Sequence, residues 1–453
     1  MANTIQYHST NLQAAPLSFR EALLKGLAPD GGLFMPEKIP VLEKATIRAF
    51  QHMPYHEIAF SVLSAFLNDQ IPADDLHHIC QDAYNFDVPL EKVTGNNYVM
   101  RLDQGPTASF KDFAARMMGR LMQYYLKQDN RELLILTATS GDTGSAIANA
   151  FYDLENIKVV ILYPKGEVTD RQRKQMTTLH KNISVIELEG KFDDCQALVK
   201  QAFSDAELDV LSLSSANSIN IGRLLPQSVY YFYAYSRLVK QIPDEQIIFS
   251  VPSGNFGNLM GGVIAREMGL PVSRFVVSTN ENDEFPVYLD TSKYKTIVPS
   301  KNCISSAMNV GHPSNMARLI AIYGGVMNEN GEIVKEPDFQ KINDDFFAVS
   351  VSDEITRQTI TDTYKKYGVV LEPHGAVAWK GLQEFLQIEK DFNGVAVSLE
   401  TAHPAKFPQE VLNSTGIEPD LPVSLQGLDK KEEEILPLKN NYEEFKAYLK
   451  DNF

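Results

Sequence analysis

Short apolar runs alternate with amphipathic helical segments through the middle of the chain, and this alternation restricts the folds that it can adopt. The runs are Leu133–Ala138, Lys158–Tyr163, Ile183–Leu188, Gln246–Val251 and Phe275–Ser278. Runs of this length are typical of strands buried on both faces of a parallel sheet. Strands that alternate with helices predict an α/β protein, whose ligands bind at the carboxyl ends of the strands.

Length and charge limit the number of domains and the kinds of partner. The chain has 453 residues, so two or three domains are expected. Its formal net charge of −16 argues against nucleic acid or an anionic membrane as a partner. No apolar stretch reaches the roughly 18–20 residues that span a bilayer, and the N-terminus does not resemble a signal peptide. The three cysteines lie far apart, so we expect a cytoplasmic protein without a disulfide framework.

A lysine stands at the start of a predicted helix in the segment Gly105–Phe113. The Gly105–Pro106 pair predicts a turn, and the helical pattern runs from Asp112 to Tyr125. The field of a helix N-terminus opposes a cation and lowers the pKa of an amine. Lys111 is therefore a candidate nucleophile for covalent attachment to a carbonyl group, although an ordinary exposed lysine also fits this segment when it is taken alone.

Two segments place glycines and small polar residues between a strand and a helix. Thr139–Gly144 reads TSGDTG, and Pro252–Asn258 reads PSGNFGN. Amides at a helix N-terminus bind anions, and glycine lets the backbone approach a phosphate closely. Neither segment is a Walker loop, and the second lacks the third glycine of the dinucleotide fingerprint. Capping of a helix alone also accounts for the first segment.

A fourth segment, Thr401–Phe407, follows the strand-like run Gly394–Leu399. Its His403, taken alone, fits a hydrogen-bonded structural histidine better than a catalyst. The spacings of cysteine and histidine that bind zinc are absent from the sequence, so no metal site is predicted. Two phosphate-type loops and a lysine at a helix start together indicate a phosphate-bearing cofactor and an anionic substrate.

Together these segments resemble the threonine synthases of the bacterial and fungal branch, within the tryptophan-synthase-β-like group of pyridoxal-phosphate enzymes. The matching segments are Leu17–Leu33, Gly105–Phe113, Thr139–Gly144, Asn217–Arg223, Gly254–Asn258, Ser306–Asn315 and Thr401–Phe407. The resemblance implies two parallel-sheet α/β domains and an N-terminal, mostly helical domain. We assign residues 1–95 to the N-terminal domain, 96–125 and 240–453 to the large cofactor-binding domain, and 126–239 to the small domain.

The resemblance also implies the chemistry. The cofactor would be pyridoxal 5′-phosphate, and O-phospho-L-homoserine and water would give L-threonine and phosphate. Lys111 would hold the cofactor covalently and then move protons. The other cofactor contacts implied are Asp142, Gly254, Asn255, Phe256, Gly257, Asn258 and Thr401. The substrate contacts implied are Ser140, Gly141 and Thr143 for the carboxylate, and Asn217, Ser218 and Arg223 for the phosphate.

Some alternatives stay open from the sequence. A threonine-synthase-like phospho-lyase acting on another amino-alcohol phosphate would keep Asn217, Ser218 and Arg223. A cofactor-binding relative without catalysis would be expected to lack Lys111, which is present. Many relatives carry asparagine where Asp142 stands, so the protonation of its carboxyl group is also open. We expect a monomer or a weak homodimer.

Overall fold

The computed structural model describes residues 4–241 and 246–453. The strands are β1 Tyr7–Ser9, β2 Phe34–Pro36, β3 Leu90–Thr94, β4 Asn97–Arg101, β5 Leu133–Ala138, β6 Ile157–Pro164, β7 Ile183–Glu189, β8 Leu213–Ser215, β9 Ile247–Pro252, β10 Val272–Thr279, β11 Val326–Met327, β12 Ile333–Lys335, β13 Phe346–Ser350, β14 Val395–Glu400 and β15 Leu436–Lys439. The α-helices are α1 Phe19–Lys25, α2 Lys44–Ala49, α3 Tyr55–Leu67, α4 Ala73–Ala83, α5 Lys111–Asp129, α6 Asp142–Phe151, α7 Asp170–Thr177, α8 Phe192–Phe203, α9 Ile221–Leu224, α10 Val229–Leu238, α11 Gly257–Glu267, α12 Glu284–Thr291, α13 Met316–Ile322, α14 Phe339–Asp345, α15 Asp353–Tyr367, α16 Pro373–Ile388, α17 Pro408–Thr415 and α18 Tyr442–Asn452.

The larger sheet has six strands in the order β13-β10-β9-β14-β4-β3. Its neighbouring strands are parallel except for the antiparallel pair of β3 and β4. Every residue of the central strands β9 and β14 is buried, because helices cover both faces of the sheet. The carboxyl ends of these two neighbouring strands lead directly into the segments that contain Gly254 and Thr401.

The second sheet has five parallel strands in the order β15-β7-β6-β5-β8. Its apolar strands β5, β6 and β7 coincide closely with three of the runs identified in the sequence, and the other two runs form β9 and β10. The prediction of an α/β protein with two parallel sheets is therefore confirmed. Within the two described ranges, no helix is both long and apolar enough to cross a membrane.

The C-terminal segment crosses from the larger sheet to the smaller one. Strand β15 pairs with β7, and α18 packs Phe445 and Leu449 into the same apolar cluster as Cys195 of α8. Residues 436–452 thus pack with the smaller sheet, whereas all of 240–453 was assigned to the large domain from the sequence. Residues 242–245 of that range lie outside the described residues. Similarly, β3 of the range 1–95 pairs with β4 in the larger sheet. We propose domain boundaries that follow these sheet pairings.

The N-terminal segment is mostly helical, as expected, and one of its turns is held by a single carboxylate. Asp30 accepts hydrogen bonds from the hydroxyl of Ser9 at 2.6 Å and from the amides of Gly32, Gln13 and Ala14 at 2.9–3.0 Å. A Cβ placed on Gly32 would collide with Ser9 Oγ, so a larger residue does not fit there. This turn therefore fixes the backbone of residues 28–33 at the edge of the cavity described next.

Candidate active site

A cavity of about 1350 Å³ opens at the carboxyl ends of the strands, between the two sheets and the N-terminal segment. The predicted site residues on its wall are Lys111, Ser140, Asp142, Thr143, Asn217, Ser218, Arg223, Gly254, Asn255, Phe256, Gly257, Asn258 and Thr401. The cavity therefore brings together all the segments that the sequence singled out, from both sheets.

Gly141, predicted to contact the substrate carboxylate, lies in the tightly packed turn before α6. Its amide donates to Thr139 Oγ1 at 2.9 Å, and a Cβ placed on Gly141 would collide with the side chain of Gln172. Its φ of +129° is a conformation that favours glycine. Gly141 therefore shapes the turn before α6 and packs against Gln172, and it does not line the cavity.

The hydroxyl of Thr139 caps the same turn, so the neighbouring hydroxyls of Ser140 and Thr143 are not needed for this cap. Thr139 Oγ1 accepts the amides of Gly141 at 2.9 Å and Gly144 at 2.8 Å. A side-chain oxygen that accepts an amide in the first turn satisfies one of the unpaired donors of a helix. Because Thr139 performs this role, Ser140 and Thr143 are available to the cavity.

Lys111 begins α5, one residue before the predicted helix start. The preceding turn is fixed by Asp112, whose carboxylate accepts the amide of Thr107 at 2.8 Å and its hydroxyl at 2.6 Å. The Lys111 amine lies 4.8 Å from the centre of the Phe110 ring. Burial lowers the pKa of Lys111 to about 8, against the opposing effect of Asp142. The helix dipole was the expected cause of such a pKa shift, whereas burial is the main cause here.

Asp142 is held by two donors on one oxygen. Lys406 Nζ lies 2.6 Å from Asp142 Oδ1, and Gln172 Nε2 donates to the same oxygen at 2.9 Å. Burial by itself would raise the pKa of Asp142, but Lys406 and Lys111 outweigh burial and hold that pKa well below its usual range. These contacts favour the ionised form of Asp142, the carboxyl group whose protonation the sequence left open.

The loop between β9 and α11 forms a close backbone cradle. A Cβ placed on Gly254 would lie 2.9 Å from the carbonyl oxygen of Ala307 and 3.0 Å from Cα of Met308. Phe256 precedes α11 with a φ of +60°, a conformation that costs roughly 1–3 kcal/mol for such a residue and is concentrated at functional sites. The structure thus retains a strained backbone where α11 points its N-terminus at the cavity.

Asn258, in the first turn of α11, presents an unpaired donor. Its Oδ1 accepts the hydroxyls of Tyr230 at 2.6 Å and Tyr231 at 2.8 Å. Its buried Nδ2 has no hydrogen-bond partner within the described part of the chain. Since buried polar atoms are almost always paired, this orientation fits a ligand that accepts a hydrogen bond.

A second group of unpaired polar atoms comes from the segment around α9. Arg223 donates Nη1 to the carbonyl of Ala216 at 2.6 Å. Among the described residues, its Nε and Oδ1 of Asn217 have no partner. Burial lowers the pKa of Arg223 to about 10, so the guanidinium stays charged near neutral pH. Arg223 forms no ion pair with a carboxylate of the described residues, and a buried cation in this state fits an anionic ligand.

The segment after β14 lies against the loop that carries Lys111. Phe110 donates its amide to the carbonyl of Thr401 at 2.8 Å, and His403 donates its amide to the carbonyl of Ala108 at 3.0 Å. The ring of His403 accepts the amide of Ala405 at 3.1 Å. His403 is therefore a structural histidine, as the sequence indicated, whereas Thr401 faces the cavity.

Other residues of the site carried no recognised signal in the sequence. His374 lines the cavity; its Nδ1 lies 2.5 Å from Glu372 Oε2, and its Nε2 accepts the amide of Ala307 at 3.1 Å. Glu372 also caps α16. This chain of contacts supports the Ala307 segment, which packs against Gly254. In the sequence, the only sign of this chain of contacts is Glu372 immediately before Pro373, an unusual residue at a helix cap.

The residues present fit a phosphate-bearing cofactor. The close approach at Gly254, the unpaired Nδ2 of Asn258 and the N-terminus of α11 suit a bound phosphate, and the amine of Lys111 on the cavity wall is suited to act as a nucleophile. The unpaired Nε of the buried Arg223 offers a second, separate position for an anion. The fold and this donor set define a pyridoxal-phosphate-dependent enzyme of the tryptophan-synthase-β-like class, and a family model described as "Pyridoxal-phosphate dependent enzyme" matches residues 87–398.

The particular family follows from the ends of the chain and from whole-chain likeness. Models described as "Threonine synthase N terminus" and "Threonine synthase, C-terminal" match residues 6–84 and 375–449. Threonine synthase of Haemophilus influenzae is 41% identical over 441 residues, 96% of each chain. That of Escherichia coli is 40% identical over 413 residues, covering 90% of this chain and 91% of the relative. The chain belongs to the threonine synthase family.

Solved structures agree with this placement. A crystal structure of PLP-bound threonine synthase from Brucella melitensis superposes with a TM-score of 0.91 at 36% identity, covering 99% of both chains. The threonine synthase structure from yeast has a TM-score of 0.90 at 30% identity and covers 99% of this chain and 98% of that chain. The likeness therefore extends through both sheets and the N-terminal segment.

Proposed function

We propose that this protein converts O-phospho-L-homoserine and water to L-threonine and phosphate, with pyridoxal 5′-phosphate as its cofactor. One observation carries the proposal: the wall of a single cavity holds two separate positions for an anion together with the amine of Lys111. A reaction that needs one phosphate on the cofactor and another on the substrate requires such a pair of sites. The family membership of the chain supports the same reaction.

Lys111 has two tasks in this proposal. Its amine first holds the cofactor covalently, which requires the neutral form of the amine. With a pKa lowered by burial to about 8, a useful fraction of the amine is neutral near pH 7–8. When bound, pyridoxal phosphate supplies a conjugated ring that stabilises negative charge developing on substrate carbons. Once its amine is free, Lys111 accepts and returns protons at Cα and Cβ of the substrate.

The remaining wall residues bind and orient. For the cofactor we assign the phosphate to the backbone of Gly254, Asn255, Phe256, Gly257 and Asn258, with Asp142 and Thr401 as further contacts. Ser140 and Thr143 would hold the substrate carboxylate, with Gly141 acting only through the turn that it shapes. Arg223, Asn217 and Ser218 would hold the substrate phosphate.

Local charge matters here because the chain as a whole is acidic. The formal net charge of −16 repels an anionic substrate. Arg223 is buried with its Nε unpaired in the described structure, so it can give a charge-assisted bond to a phosphate oxygen. The positive charge of Arg223 thus offsets, within the site, the repulsion between the acidic chain and an anionic substrate.

We further propose that the protein acts in the cytoplasm as a monomer or a weak homodimer. The cysteines Cys80, Cys195 and Cys303 are free and buried, which supports a reducing compartment.

The test is to incubate the purified protein, loaded with pyridoxal phosphate, with O-phospho-L-homoserine and to quantify both phosphate and threonine. We expect equal amounts of the two products. Phosphate without threonine would replace the proposal with a phospho-lyase, and no release of either product would remove it.

Borohydride reduction tests the attachment point independently of turnover. Mass spectrometry of the reduced protein should place the pyridoxyl group on Lys111, and Lys111→Ala should lose both the label and the activity. A label on Lys406 or Lys165 would contradict the assignment.

A further inference from the structure

Two lysines, the fully buried Lys406 and the half-buried Lys111, lie near the carboxylate of Asp142, and Lys111 is the one on the cavity wall. Lys406 is fully buried, and its Nζ contacts Asp142 Oδ1 at 2.6 Å and donates to the carbonyl of Thr107 at 2.9 Å. Lys111 lines the cavity. The two amines therefore have different surroundings although both act on one carboxylate.

The contact between Lys406 and Asp142 joins the carboxyl ends of the two sheets. Asp142 begins α6 after β5 of the smaller sheet, and Lys406 follows β14 of the larger one. A third element holds the same oxygen: Gln172 of α7 donates to Asp142 Oδ1 at 2.9 Å, and Thr169 caps that helix through Gln172. The position of the carboxylate is thus fixed from two sides.

We propose that Lys406 is a positioning residue that neutralises Asp142, so that this carboxylate does not capture the amine of Lys111 as an ion pair. The inference rests on the proposed attachment of the cofactor to Lys111. Without Lys406, the buried carboxylate would have Lys111 as the remaining nearby cation. Such a pair would keep the Lys111 amine protonated and unable to attack a carbonyl group.

The charges around Lys111 agree with this role. Burial lowers its pKa most, Asp142 raises it and Lys406 lowers it. The other charged groups that face it are Arg223, which lowers the pKa, and Glu372, which raises it. After burial, Asp142 and Lys406 have the largest effects on the pKa of Lys111, and they act in opposite directions.

The test titrates Lys111 in the protein without cofactor, so its outcome does not depend on turnover. Trace labelling with acetic anhydride across a pH series, read by mass spectrometry on the Lys111 peptide, gives the pH midpoint of the amine. Lys406→Met should raise that midpoint by about one unit or more, a roughly tenfold loss of neutral amine at neutral pH. Asp142→Asn should move the midpoint in the opposite direction, because the charge of Lys406 is then unopposed.

The double variant Lys406→Met/Asp142→Asn separates charge balance from packing. Removing both charges should return the midpoint to within about half a unit of the unmodified protein. A purely structural contact would leave the double variant no better than Lys406→Met. Lys174→Met is the matched control, because Lys174 contacts the exposed Asp429 at 2.6 Å, and it should leave the midpoint unchanged.

Thermal unfolding of each variant identifies any that does not fold. If Lys406→Met does not fold, Asp142→Asn still tests the proposal, because it should lower the pH midpoint of Lys111. Equal midpoints in all folded variants, or shifts of the same sign for the two single variants, would overturn the role of Lys406. A failed threonine assay with the expected titration would instead remove only the proposed reaction.

Discussion

Asn315 donates its side-chain amide to the backbone carbonyl of Asn255 at 2.8 Å, and this bond ties the loop between β9 and α11 to the start of α13. One turn further on, Arg318 donates to Oδ1 of Asn315 at 2.7 Å and to the carbonyls of Ser218 at 3.2 Å and Ile219 at 2.6 Å. Both anion loops are therefore attached to one short helix. These contacts therefore fix the separation of the two loops through α13.

Replacing Arg318 should destabilise the protein. The guanidinium is fully buried and also donates twice to the carbonyl of Phe34. Arg318→Met leaves these buried carbonyls without donors, so we expect a loss of about 2–4 kcal/mol in the free energy of unfolding, measured by urea denaturation. Arg357→Met is the control: that arginine pairs with Glu410 near the surface, and its loss should cost less than about 1 kcal/mol. Equal midpoints for the two variants would contradict the role of Arg318.

Gly254→Ala should weaken cofactor binding. The added Cβ would meet backbone atoms of Ala307 and Met308 at 2.9 Å and 3.0 Å, and backbone cannot rotate away as a side chain can. Strain of this kind costs about 1–3 kcal/mol, or on the order of 10- to 100-fold in the dissociation constant of pyridoxal phosphate. Fluorescence titration of the cofactor-free protein measures it. Gly166→Ala is the control: Gly166 has a φ of +79° and nothing within 4 Å of an added Cβ, so alanine there strains the backbone away from this loop and should leave cofactor binding normal. An unchanged constant for both variants would mean that the loop adapts.

Arg223→Ala should raise the KM for O-phospho-L-homoserine far more than it weakens the cofactor. A charge-assisted bond to phosphate is worth about 1.5–3 kcal/mol, or roughly 10- to 150-fold in affinity. Lysine should substitute poorly, because it lacks the planar fork of arginine. Since the pKa of Arg223 lies at about 10, this KM should not rise below about pH 9 through loss of the Arg223 charge. An unaltered KM in Arg223→Ala would assign the substrate phosphate to other residues.

The sequence predicted the central strands well and the edges poorly. Strand β5 begins and ends where its apolar run does, because a strand buried on both faces leaves a continuous apolar signal. Strand β15 was missed: its four residues alternate between half-buried and exposed, and a short edge strand of this kind does not differ from a polar tail. Strand β15 pairs with β7 because the chain returns from the larger sheet to the smaller one, and no local sequence pattern predicts that return.

The sequence predicted those parts of the site in which a single loop has a recognisable local pattern. Lys111, the Thr139–Gly144 turn and Gly254–Asn258 each combine a turn with a helix start, and all contribute to the cavity wall. Lys406 and Arg318 were missed in their present roles because their partners come from distant parts of the chain. A buried lysine that pairs with a carboxylate and an exposed lysine look alike in a sequence, and only packing separates them.

Thr401 tests the assignment of the cofactor ring. Its side chain lies at the cavity wall and is 6% exposed, and its backbone carbonyl is fixed by the amide of Phe110 at 2.8 Å. We assign its hydroxyl to the ring nitrogen of pyridoxal phosphate, where a neutral partner leaves that nitrogen largely unprotonated.

Thr401→Val keeps the shape of the side chain without the hydroxyl, so the covalent link to Lys111 should remain. Turnover should fall by about one to two powers of ten, for one lost hydrogen bond of roughly 1–3 kcal/mol. Thr401→Ser keeps the hydroxyl and should retain most of the rate, whereas Thr401→Asp should raise the pKa of the ring nitrogen and increase keto acid relative to threonine. Product analysis of the three variants decides the matter: if Thr401→Val matches the unmodified protein in rate and products, Thr401 serves only the packing of the loop.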